Sequence, residues 1–140
     1  MDGEFEILGA PIGSATHCGA HTRARVDKCM PVLDALAELA DPQVALKLLR
    51  RCQGFAKLVY SARTVPPESH TPDLSSFDVA VRAAFVGFTG IAVSEAEWAQ
   101  ASRGLWCGGL GLRSAAKHSV PAYLASRLAT QRLCKEIDPL

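Results

Sequence analysis

Polar and apolar side chains alternate from Glu4 to Ile7, the period of a strand with one face turned inward. The alternation stops at Gly9-Ala10-Pro11-Ile12-Gly13, which reads as a turn, and a long helical pattern follows. A lone strand cannot satisfy its own backbone donors and acceptors. The segment must fold back as a small hairpin or borrow a partner strand, and it reads as a piece that begins in the middle of something larger. Beyond it the apolar period is helical. Ser14 or Thr16 can cap a helix to about Ala40, on which Cys29, Val32, Leu33, Leu36 and Ala40 recur. Pro31 lies inside and predicts a kink or a break.

Asp41-Pro42 marks a restart, an amide-accepting cap followed by a proline suited to the first helical position. The pattern predicts one helix from Pro42 to about Ala62. Its apolar face holds Val44, Ala45, Leu48, Leu49, Cys52, Phe55, Ala56 and Val59, and Lys47, Arg50, Arg51 and Lys57 lie opposite with Gly54. Pro66 to His70 reads as a loop. Thr71-Pro72-Asp73 repeats the cap-plus-proline signal and opens a helix with Leu74, Phe77, Val81, Ala84, Phe85 and Phe88 as its buried stripe. Asp78 and Arg82, four apart, are expected to pair along it. Gly87 and Gly90 are expected to end it. Ser94 and Glu97 form a capping box for a short helix containing Trp98. A glycine-rich turn over 104–111 leads to Ser114, the cap of a last helix to about Leu133, with Pro121 predicting a kink or a fresh start.

The expected fold is mostly α, about five helices in a compact bundle with a short N-terminal β-strand or hairpin. A β element in 1–14, helices over 15–133 and a frayed tail over 134–140 make one domain. Its 140 residues, 49% hydrophobic and 21% charged, suffice for a core. Only 6% are aromatic, which favours helix over sheet.

Charge is distributed unevenly. The chain as a whole carries +1, which argues against a strongly basic nucleic-acid binder. Residues 19–63 nevertheless hold eight basic and four acidic side chains, leaving the remainder at −3. The five cysteines (Cys18, Cys29, Cys52, Cys107, Cys134) are odd in number and lack C-x-x-C spacing, with three on positions that look buried. Reduced thiols in an intracellular compartment are expected. No signal-peptide core opens the chain and no apolar run is long enough to span a bilayer.

The four side chains Lys47, Arg50, Arg51 and Lys57 point the same way at helical spacing and could each meet a phosphate, giving salt-sensitive, sequence-independent binding. A solvated helix face has the same pattern. Arg23, Arg25 and Lys28 could extend the patch, or Asp27 and Asp34 could neutralise them. His17, Cys18, His21 and Cys29 are close in sequence, but Cys18 points off the face that His17 and His21 share, so no metal site is assigned. The glycine-rich turn has neither P-loop nor dinucleotide spacing, and it is expected to tuck Leu110 and Leu112 into the core. Glu97 is occupied by the capping box, and sequence gives no base or orienting group for a nucleophile at His118-Ser119. Trp98 and Trp106 are expected as core anchors.

Five stretches appear in order: FEILGAPIGS (5–14), DPQVALKLLRRC (41–52), YSARTVPP (60–67), FDVAVRAAFVGFTG (77–90) and GGLGLRSAAKHSVPAYLAS (108–126). Together, over about residues 4–127, they resemble the region downstream of the catalytic centre in reverse transcriptases of non-LTR retrotransposons. The resemblance implies that the first stretch is a primer grip and that the following helices are a thumb, which holds the primer–template duplex by its backbone. The family's catalytic aspartates precede the primer grip, and no Asp-Asp pair occurs in this chain. Two-metal phosphoryl transfer needs clustered carboxylates. The resemblance therefore implies a non-catalytic part of a polymerase, with no cofactor, binding nucleic acid through Lys47, Arg50, Arg51, Lys57, Arg23 and Arg25. The alternative expectation is a retroelement-derived subunit of a larger protein assembly, held by its apolar surface and its N-terminal strand.

Overall fold

A computed structural model of the protein describes residues 3–138. The fold is mostly α-helical with a two-stranded hairpin at its N-terminal end, as the apolar pattern predicts. Strand β1 (Phe5–Ile7) pairs antiparallel with β2 (Ala10–Ile12), Phe5 opposite Ile12 and Ile7 opposite Ala10. The stretch that reads as a turn thus supplies the second strand, and β1 finds its partner within the chain. The turn itself is Leu8-Gly9, with φ of 50° and 79°. Two positive φ values give the backbone twist that a two-residue hairpin needs.

Helix α1 (Ala15–Ala37) starts at Ser14, whose hydroxyl accepts the His17 N–H at 3.2 Å. It continues through Pro31 without a break. Asp27 and Pro31 are both exposed, so water can take the carbonyl that the proline leaves unbonded. Cys29, Leu33 and Leu36 are buried, whereas Val32 faces outward.

The single helix expected from Pro42 to Ala62 is interrupted. Asp41 caps α2 (Pro42–Leu48) by accepting the Gln43 and Val44 amides at 2.9 and 3.1 Å. A π-helical turn (Leu49–Gln53), Gly54 in an extended conformation and a 3-10 turn (Phe55–Lys57) then lead into α3 (Val59–Thr64). Packing explains the interruption. Leu49 and Leu58 are both fully buried. Nine residues apart, at about 100° each, they would lie on opposite faces of a straight helix. The break at Gly54 turns both inward, while Val44, Leu48 and Cys52 of the expected apolar face are left exposed.

Helix α4 (Thr71–Thr89) buries Leu74, Phe77, Val81, Ala84, Phe85 and Phe88, the stripe the sequence predicts, and packs on α1. Burying each of the larger side chains is worth about 1.5–3 kcal/mol. Its start differs from the expected cap. His70 occupies the cap position but its side chain does not cap the helix, and the Thr71 hydroxyl donates back to the Pro67 carbonyl at 2.6 Å. Gly90, with φ of 65°, ends the helix. Gly87 does not end it. It lies inside α4, where a Cβ would fall 2.7 Å from the Ala37 Cβ, so it sets the closeness of α1 and α4.

Helix α5 (Glu95–Ala101) carries the expected capping box. Ser94 donates its N–H and its hydroxyl to Glu97, each at 2.7 Å. These bonds, the backbone one first, hold the Glu97 carboxyl below its ordinary pKa. The expected Asp78–Arg82 pair does not form. Arg82 reaches instead to Glu95 and to the Val93 carbonyl, and Asp78 caps α6 (Ala115–Ile137). Helix α6 runs past Leu133 and through Pro121, packing on α3 and α4. From Leu124 to Ile137 its apolar side chains lie exposed.

Candidate nucleic-acid interface

The basic residues that the sequence places on one stripe are distributed by the break at Gly54. Lys47 and Arg51 remain exposed on α2 and the π-helical turn. Lys57, beyond the break, faces α1. There it lines a shallow depression of about 330 Å³ with Arg25, Lys28, Cys29, Val32 and Gln53. The depression thus gathers three cations from segments some thirty residues apart in sequence. No carboxylate lines it among the described residues. Burial pushes the Cys29 thiol above its ordinary pKa, and the nearby Lys57 ammonium opposes that shift.

Arg25 also belongs to the hairpin. Its Nη2 donates to the Gly9 carbonyl at 3.1 Å, and its guanidinium lies 5.4 Å from the centre of the Tyr60 ring. Arg25 therefore joins the hairpin turn to the basic depression. Arg23 is committed elsewhere, its guanidinium 3.0 Å from the Asp73 carboxylate across α1 and α4. The sequence offers Lys28 only as an extension of the stripe, yet it sits in the depression itself. The i, i+3 spacing of Arg25 and Lys28 on α1 is the signal that could have placed it there.

Arg50 does not line the depression that holds Lys57. It lines a cleft of about 410 Å³ with Arg113, the Phe55 region and the glycine-rich turn. Leu112 from that turn is buried and Leu110 packs on the core, as expected. Trp98 packs on Phe85 with ring centres 5.7 Å apart, as expected of an anchor. Trp106 departs from expectation. It is 80% exposed at the mouth of the cleft.

The histidines near the N-terminus face the hairpin. His17 lies 3.7 Å from Glu4, just before β1, and His21 3.4 Å from Glu6 of β1, two rungs between α1 and the start of the hairpin. The described residues contain no group of three or more side chains placed to hold a metal ion. Ser119 spends its hydroxyl on the Ala116 carbonyl at 2.8 Å, and His118 Nδ1 bonds the Ser114 carbonyl at the same distance. All five cysteines are unpaired. Cys18 and Cys29 are buried, and Cys52, Cys107 and Cys134 are exposed.

The class defined by these observations is a mostly helical protein with a cationic depression beside an N-terminal hairpin, and none of its described helices is long and apolar enough to cross a membrane. No family model, no curated protein and no solved structure matches the chain. The expectation of a reverse-transcriptase relationship has only the five sequence stretches behind it.

Proposed function

We propose that this chain is a thumb-like nucleic-acid-binding module, without catalysis of its own, that grips a duplex by its phosphate backbone beside a primer-grip hairpin. The observation that carries the reading is Arg25, which lines the cationic depression while bonding the hairpin turn. A backbone laid across Arg25, Lys28 and Lys57 meets three cations and, among the residues lining the depression, no carboxylate. Lys47 and Arg51 are exposed on α2 and the π-helical turn, outside the depression, and are free to meet further phosphates. The five-stretch resemblance supports the same reading, because its first stretch is the hairpin.

Electrophoretic mobility shift with a primer–template duplex across a salt series tests it. Binding should weaken as salt rises from about 50 to about 200 mM. Lys28→Ala with Lys57→Ala should weaken binding at every sequence and lower the salt slope by about one for each phosphate no longer neutralised. Absence of binding at about 50 mM salt, or binding indifferent to both substitutions, overturns the reading.

A protein-assembly role is favoured by a different observation. Leu124, Leu128, Leu133 and Ile137 of α6 are exposed by 54, 70, 57 and 85%. A helix end with so much apolar surface suits a partner. Self-association in sedimentation, abolished by Leu124→Lys with Leu128→Lys, would support that role.

A further inference from the structure

The cleft that receives Arg50 shares no lining residue with the basic depression and has a different chemistry. Its walls are apolar, with Phe55, Val59 and Leu112 among them. Arg50 and Arg113 are its only charged lining residues. Neither makes an ion pair among the described residues. At its mouth the Trp106 indole is 80% exposed but not loose. A Cβ on Gly104 would fall 2.9 Å from Trp106 Cζ2, so the ring lies against the bare glycine backbone. The stem of Arg50 is seated in the same way, 3.1 Å from where Gly111, with φ of 75°, would carry a Cβ. Both side chains are therefore positioned by glycines of one turn.

We infer that this cleft binds single-stranded nucleic acid, one base stacked on Trp106 and the adjoining phosphates held by Arg50 and Arg113. An exposed indole beside apolar walls accepts a flat ring, and two unpaired guanidinium forks accept phosphate oxygens. Every nucleotide carries both groups on one short scaffold. Bases inside a duplex are stacked on their neighbours and cannot offer a face to the indole, so the occupant is a single strand. An acidic peptide would satisfy the two arginines but leave the indole without a flat partner. The inference extends the nucleic-acid reading to a second surface and stands separately from it.

Fluorescence anisotropy of the full chain with a labelled oligothymidylate of about eight residues tests it, the length falling within known single-strand site sizes. Trp106→Ala should weaken binding about tenfold, the scale of losing one base–aromatic stack. Arg50→Ala with Arg113→Ala should weaken it further and lower the salt slope by about one to two. Arg132→Ala, towards the end of α6 and outside both the cleft and the depression, should leave it unchanged. That pattern holds whether or not the duplex is bound, so the two readings fail separately. Far-UV circular dichroism checks that each variant is folded, and Trp106→Phe, which keeps a ring, should restore much of the affinity. Four results overturn the inference: no binding at about 50 mM salt, binding untouched by Trp106→Ala, an abasic strand bound as tightly as the oligothymidylate, and full competition by an oligoglutamate peptide.

Discussion

Asp78 of α4 accepts the backbone N–H of Ala115, the first residue of α6, at 2.7 Å. The same carboxylate takes the Ala116 N–H at 3.1 Å and the Ser114 hydroxyl, so α6 is capped from another helix as well as by its own Ser114. A carboxylate at a helix N-terminus satisfies free amides and meets the positive end of the helix dipole. Asp78→Ala should cost about 1–3 kcal/mol, because it strands half-buried amides. Asp78→Asn, which keeps one acceptor, should recover part of that loss. Urea denaturation midpoints at constant slope would measure both.

The hairpin turn is tied to the body of the protein by Tyr60, whose hydroxyl donates to the Leu8 carbonyl at 2.7 Å, and by Arg25. Tyr60→Phe removes one of these ties. Amides of β1 and β2 should then exchange with solvent several-fold faster, corresponding to about 0.5–1.5 kcal/mol, while those of α4 are unaffected.

Leu8 is 93% exposed and holds a positive φ that a branched side chain adopts only at a cost of about 1–2 kcal/mol. Leu8→Asn gives the residue pair favoured in such turns and loses almost no packing. It should slow the same hairpin exchange. Unchanged or faster exchange would contradict the assigned turn.

His70 is fully buried between α1 and α4, its Nδ1 3.1 Å from the Thr22 hydroxyl and its Nε2 without a hydrogen-bond partner among the described residues. Burial pulls its pKa below the ordinary 6.5, against the weaker opposite pull of Asp73 and Glu68. Above that value both folded and unfolded states are neutral, and the ring adds no pH dependence. As pH falls through 6.5 the unfolded chain takes up a proton that the buried ring refuses, so stability declines until the folded ring itself titrates. His70→Asn cannot titrate and should flatten that acid-side decline, whatever it does to stability at neutral pH. Thermal midpoints across the interval would show it. An equal slope in both proteins would remove His70 as the cause.

Gly87 lies where a Cβ would sit 2.7 Å from the Ala37 Cβ and 3.1 Å from the Ala37 backbone. Gly87→Ala gains about 1 kcal/mol of helix propensity but forces α1 and α4 apart. Gly87→Leu gains nearly the same propensity but adds far more bulk against Ala37 and should cost about 1–3 kcal/mol. Measured destabilisation should follow the order Leu, then Ala, then glycine.

The elements whose evidence is local were legible in the chain. The capping box at Ser94 and Glu97, the Asp41-Pro42 start and the buried stripe of α4 each rest on spacings of three or four residues, and each forms as the sequence predicts. The basic residues were identifiable by type. Their grouping was not, because helical periodicity assumes an unbroken helix and the core breaks this one at Gly54.

The sequence alone determined the class of fold, the strand at the start and the cationic character of residues 19–63, since these depend on local period and composition. Tertiary packing decided the rest. Burying Leu49 and Leu58 together split the predicted helix, sent Lys57 to Arg25 and Lys28, and sent Arg50 to the cleft beside Trp106. Asp78 likewise passed over Arg82, four residues away, because the free amides of α6 offered its charge stronger and better-shielded partners.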